Sequence, residues 1–135
     1  MRPIARTLTL AAGLATTCAT LVALAPQASA VTWHITMQSD DGDPGAIIRF
    51  QPNGDYVEVC DQEADGYAAF GVVNDYKGVG YTIRAGGNGT CSIVDADDAG
   101  HNLHEDQLAY FAICLEGDGG SDDIHYCDSA QWYTG

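Results

Sequence analysis

Along much of the chain apolar and polar residues alternate singly, the spacing that buries one face of a β-strand. Val31-Thr32-Trp33-His34-Ile35-Thr36-Met37-Gln38 shows the alternation first, and a turn cluster at residues 40–45 ends it. The next run, AIIRFQPNGDYVEVCD, is predicted to be a hairpin, because Asn53 and Gly54 both accept positive φ at its centre. That turn places Phe50 opposite Val57 and Ile48 opposite Val59 on one apolar face. It places Arg49 opposite Glu58 on the other, a favourable charge pair.

Further strands are expected over residues 67–73, 79–84, 90–94 and 107–115. The last of these sets Ala109, Phe111, Ile113 and Leu115 on one face and Cys114 on the other. A loop over residues 116–123 returns the chain as a strand at 124–127. Strands and turns alternate every ~8–12 residues, a rhythm that predicts an all-β fold. The expected architecture is an antiparallel β-sandwich, immunoglobulin-like or a related Greek key, in one domain over residues 31–135.

The chain opens MRPIARTLTLAAGLATTCATLVALAPQASAV. Arg2 and Arg6 lead an apolar run, and Ala28-Ser29-Ala30 closes it with the small-x-small pattern of a cleavage site. Residues 1–30 therefore read as a secretory signal peptide, which makes the protein extracellular. No later stretch is long and apolar enough to span a bilayer.

Loss of the signal leaves Arg49, Lys77 and Arg84 against nineteen acids, so the net charge of −14 becomes 3 − 19 = −16. Such a surface repels nucleic acid and anionic membranes and suits cations, a basic protein or a cell-surface polymer. A monomer is expected.

Cys60, Cys91, Cys114 and Cys127 remain, an even number that reads as two disulfides in an exported domain. The count allows three connectivities. Joining Cys114 to Cys127 centres the intervening turn on Gly120-Ser121, which suits glycine, and leaves Cys60 for Cys91. Zinc would need close cysteine pairs, and the chain has none.

The stretch VCDQEADGY carries the clearest candidate chemistry. Asp61, Glu63, Asp65 and Gly66 fall in the order D-x-E-x-D-G, which opens a calcium loop. The ninth and twelfth positions are Ala69 and Val72, neither of them a ligand, and the flanks are strands. The competing reading is a corner in which Asp61 caps backbone amides and Asp65-Gly66 makes the turn. Calcium is the one candidate cofactor, with Asp61, Glu63 and Asp65 as its ligands and the acidic turns near residues 40–43, 95–98 and 118–123 as contributors.

His101-Asn102-Leu103-His104-Glu105 lacks the order and the helix that metallohydrolase motifs require. Ser39, Ser92, Ser121 and Ser129 lie in no nucleophile motif. A carboxylate pair acting on glycans is the least favoured alternative. Trp33, Tyr126, Trp132 and Tyr133 are either a sugar-stacking platform or cover for the core.

Several short segments in order resemble a group of small secreted actinobacterial proteins of uncharacterised function. They are Asn53-Gly54-Asp55, Val59-Cys60-Asp61, Ala64-Asp65-Gly66, Gly89-Thr90-Cys91 and Cys114-Leu115, followed by Cys127 and Trp132. The resemblance covers most of residues 45–135 and implies a secreted, disulfide-bearing β domain without implying an activity. The chain departs from the group at Tyr67-Ala68-Ala69-Phe70, where a strand with a basic residue is expected, and in its more acidic loops. The expectation is a secreted, non-catalytic binding or interaction domain. A calcium-dependent domain is the first alternative.

Overall fold

The computed structural model describes residues 30–135, so the expected signal peptide lies outside the described residues except for Ala30. The strands are β1 (Ile35–Gln38), β2 (Ala46–Gln51), β3 (Tyr56–Asp61) and β4 (Ala68–Asn74). They continue as β5 (Gly80–Gly86), β6 (Cys91–Val94), β7 (Leu108–Glu116) and β8 (Ile124–Tyr133). A 3₁₀ turn, Gly120–Asp122, sits between β7 and β8.

These strands form two four-stranded antiparallel sheets, β1-β2-β3-β6 and β5-β4-β7-β8. β6 returns to pair with β3 after the β4–β5 hairpin has formed in the other sheet. β7 then crosses back to lie beside β4. These are Greek-key connections in a sandwich.

The β2–β3 register follows from the alternation: Phe50 pairs with Val57, Ile48 with Val59 and Arg49 with Glu58. The Arg49 guanidinium meets the Glu58 carboxylate at 2.5 Å. The turn itself differs from the expectation. It spans the four residues between Gln51 and Tyr56, and positive φ falls at Gly54 (94°) and Asp55 (51°), not at Asn53. The amide of Asp55 donates to Pro52 O at 3.2 Å and closes the turn, which aims the Asp55 side chain inward.

Between the sheets, Phe50 packs on Phe111 with ring centroids 4.7 Å apart, and Trp132 stacks on Phe111 at 4.6 Å. Ile48, Val57, Val59 and Ile113 are fully buried around them. Truncating a buried ring of this kind to alanine costs about 3–5 kcal/mol, so this layer contributes substantially to the fold's stability.

The disulfides join Cys60 to Cys91, opposed residues of β3 and β6, and Cys114 to Cys127 between β7 and β8. The return strand β8 runs to Tyr133, well beyond the four residues expected of it. Its register slips by one between the pairs Ile113–Asp128 and Leu115–His125, where Tyr126 takes a positive φ of 51°. This bulge reverses which residues face inward. β1 is shorter than expected and begins at Ile35.

Candidate functional site

The sandwich has two ends with different chemistry. At the first, the chain crosses between sheets through residues 62–67 and 87–90, and VCDQEADGY forms the corner. Asp61 is 2% exposed. One of its carboxylate oxygens accepts the Glu63 amide at 3.2 Å and the other the Gly87 amide at 2.8 Å. Its own amide donates to Thr90 O, and its carbonyl accepts from Gly89. Asp61 thus ties one crossover to the other. Asp65 accepts the Tyr67 amide at 2.9 Å, and Gly66 supplies the positive φ of 88° that the turn requires.

Three calcium candidates therefore have different surroundings. Asp61 has turned both oxygens to backbone amides, whereas Glu63 and Asp65 lie at the surface. Their three carboxylates do not come within 4.8 Å of one another; among the described residues that spacing gathers only Glu58, Cys60 and Cys91, whose sulfurs form the disulfide. The 40–45 loop is the neighbour of this corner. Desolvation raises the Glu63 carboxyl, and the hydrogen bond and charge of Asp43 together with the charges of Asp65 and Asp41 add to the rise. Beside it lies an open groove of about 480 Å³ whose lining includes Glu63, Tyr67, Arg84, Asn88, Glu116 and Asp118. The Arg84 guanidinium is ion-paired with the nearly buried Glu116, which leaves the groove's rim acidic.

The opposite end holds the β2–β3 turn, the β4–β5 turn and the long segment from Asp95 to Gln107. Two buried carboxylates anchor that segment. Asp55, 1% exposed, accepts the Leu103 amide at 2.8 Å, and Leu103 closes the core. Asp75, fully buried, accepts the amides of Lys77, Val79 and His104 and the His104 ring nitrogen Nδ1 at 2.6 Å. Burial alone would raise the Asp75 carboxyl, but these hydrogen bonds outweigh it and hold the group well below the usual range. Asp55 goes the other way. Burial pushes it up to about 6, the Leu103 amide opposes, and the charges of Glu105 and Asp75 add to the rise. Asp55 Oδ1, the Tyr81 hydroxyl and His101 Nδ1 are shielded here without a hydrogen-bond partner among the described residues.

The remaining sequence candidates find structural surroundings. His101 packs against the Tyr81 ring at 4.4 Å, while His104 binds Asp75, so the two imidazoles serve different contacts. The Ser39 hydroxyl donates to Asp41 and the Ser92 hydroxyl to Arg84 O, and neither meets an imidazole. Of the aromatic candidates, Trp132 belongs to the core, Trp33 is half-buried ahead of β1, and Tyr126 is exposed at the β8 bulge. Tyr133 is 50% exposed and points outward.

Tyr133 has company that the alternation pattern did not assign. Ala109, Phe111 and Ile113 face the core, so Leu108, Tyr110 and Ala112 lie on the outer side, Leu108 exposed, Tyr110 half-buried and Ala112 covered. In register, Tyr110 pairs with Gln131 and Leu108 with Tyr133 across β7–β8, and Tyr110 with Asn74 across β4–β7. Phe70 and Val72 continue the same face on β4. Tyr76, in the β4–β5 turn, accepts a hydrogen bond from the Gln131 side-chain amide at 3.3 Å. By register the charged residues on the outward side of these four strands are Arg84 and Glu116, which pair with each other, while the exposed His125 and Asp128 of the edge strand β8 lie opposite the core-facing Leu115 and Ile113. The signal was present in β7: LAYFAICLE is apolar on both faces, where a strand with one wet face alternates.

No family model, no curated protein and no solved structure matches the chain.

Proposed function

We propose that the chain is an exported, non-catalytic binding domain whose contact surface is the outer face of the β5-β4-β7-β8 sheet. One observation carries this reading: a chain with nineteen acids keeps this face aromatic and free of unpaired charge. Binding surfaces have cores depleted of charge and enriched in tyrosine, and contiguous exposed apolar patches mark contact sites. Tyr76 and Leu108 are 62% and 52% exposed, a burial cost left open on the free domain. Export is supported by the leader-like start and by two disulfides, which persist in oxidising compartments. The acidic loops at both ends disfavour anionic partners and keep the domain dispersed.

The test is retention of the purified, oxidised protein on intact cells and cell walls of its source, read by co-sedimentation. The wild type is expected to sediment with them, and the double variant Val72→Lys/Leu108→Lys to stay in solution. Both substitutions place the new charge on the solvent side, so a melting curve checks that the core is intact. Equal sedimentation of the two proteins, or none by either, sinks the reading.

A further inference from the structure

We infer that the part of this face built from Tyr76, Tyr110, Gln131 and Tyr133 is a platform for an uncharged polysaccharide. The inference rests on the binding face proposed above and names its ligand. Its first support is shape. Tyr110 and Gln131 are directly opposed on β7 and β8, Tyr133 follows Gln131 on the same side of β8, and the turn residue Tyr76 reaches Gln131 from across the sheet. Neighbouring strands lie about 4.8 Å apart, the scale of one sugar ring, so adjacent side chains meet adjacent rings of an extended polymer.

Chemistry gives the second support. The aromatic rings offer apolar faces to the C–H side of a sugar, and the phenol and amide groups offer both donors and acceptors to its hydroxyls. Asn74, opposed to Tyr110, adds a second amide on the same face. The Tyr133 hydroxyl donates to Asp106 at 3.1 Å, which holds this ring at the platform's edge.

Charge selects among occupants. The platform itself presents no ion, while acidic residues such as Glu105 and Asp106 border it. An anionic polymer is repelled by that border, and a second copy of the chain brings its own acidic border against the first. A neutral, hydroxyl-rich polymer meets neither penalty. The acidic border accepts hydrogen bonds from its hydroxyls.

The experiment is depletion of the purified oxidised protein from solution by insoluble cellulose, chitin, xylan and β-1,3-glucan, with pectate as the anionic control. At least one neutral polymer is expected to deplete it, with little change in high salt, and pectate is not. Tyr76→Ala and Tyr133→Ala are each expected to weaken the binding at least tenfold. Tyr76→Phe, which keeps the ring, is expected to retain most of it, and Tyr126→Ala, at the β8 bulge, to leave it unchanged.

The result that overturns the inference is no depletion by any neutral polymer, or depletion unaffected by the platform variants. If cell retention is nevertheless lost in Val72→Lys/Leu108→Lys, the binding face stands and its ligand is another molecule. A dimer in sedimentation equilibrium that the same double variant disperses assigns the face to self-association and also overturns the polysaccharide.

Discussion

Asp61 at one end of the sandwich and Asp55 at the other are both almost inaccessible to solvent, yet their surroundings treat them in opposite ways. Asp61 has an amide donor on each oxygen. Asp55 has the Leu103 amide on one oxygen and no partner among the described residues on the other. Both disulfides lie nearer the corner end, at the last β3–β6 pair and at the β8 bulge. The opposite end depends on Asp55, Asp75 and His104. Burial of a carboxylate is thus neither stabilising nor destabilising in itself, because the number of donors that meet it decides the sign.

The largest effect expected is for Asp75→Ala, which strips a fully buried carboxylate from three amides and an imidazole. A loss on the order of 3–5 kcal/mol follows, read as a fall in the thermal midpoint of more than about 12 °C. Asp61→Ala removes the acceptor for two amides at a corner already pinned by the Cys60–Cys91 bridge, and about 2–3 kcal/mol is expected in urea titration. If Asp61→Ala proves the more damaging, the contrast drawn between the ends is wrong.

The third prediction uses pH. Folding raises the Asp55 value from 3.8 to about 6, so the folded state favours the protonated form. Its contribution is full below 3.8, declines as pH rises and is gone above about 6. Asp75, held below its ordinary value, contributes above 3.8 and loses that contribution as pH falls. The opposite end is therefore best held in mildly acidic solution. The midpoint at about pH 4.5 is expected to exceed that at about pH 7.5 by on the order of 5–10 °C, and Asp55→Asn to remove most of the difference. Parallel curves for wild type and variant would show that Asp55 does not set the pH dependence.

The smallest effect is expected at Gly66. A Cβ there meets nothing within 4 Å, and only the φ of 88° opposes it. Gly66→Ala should cost about 1 kcal/mol, a shift in midpoint visible by calorimetry. A much larger loss would mean that the corner tolerates no adjustment.

What the chain's pattern revealed and what it hid divide along similar lines. The β2–β3 pairing and the Cys114–Cys127 bridge were legible because each depends on short-range alternation and turn chemistry, and Cys60–Cys91, 31 residues apart, followed only as the pair left over. The corner role of Asp61 and Asp65 was legible for the same reason. Asp55 was not: its partner Leu103 lies 48 residues away, and nothing local says which loops meet. The full length of β8 was hidden by the Tyr126 bulge, which shifts the pairing by one after Leu115–His125, so that Ala130 and Trp132 of the later part of the strand pack toward the core. The alternation breaks there although the strand continues. On β7 the eye follows the buried residues, and Leu108 and Tyr110 pass as ordinary apolar neighbours until the sheet shows them side by side with Tyr133.

The long segment between β6 and β7 has one further consequence. Cys60–Cys91 closes entirely before it, and Cys114–Cys127 entirely after it. A single backbone cut between Asp95 and Gly100 would yield two covalently independent pieces, each with its own crosslink. The larger would hold six strands and lack the β7–β8 hairpin that packs against β4 in the middle of its sheet. The smaller would carry Phe111, Ile113 and Trp132 with no partner to cover them. Neither piece can hide its apolar residues alone, and each is shaped to do so with the other. A chain cut there would hold together only through the shared core, with no covalent link between its halves.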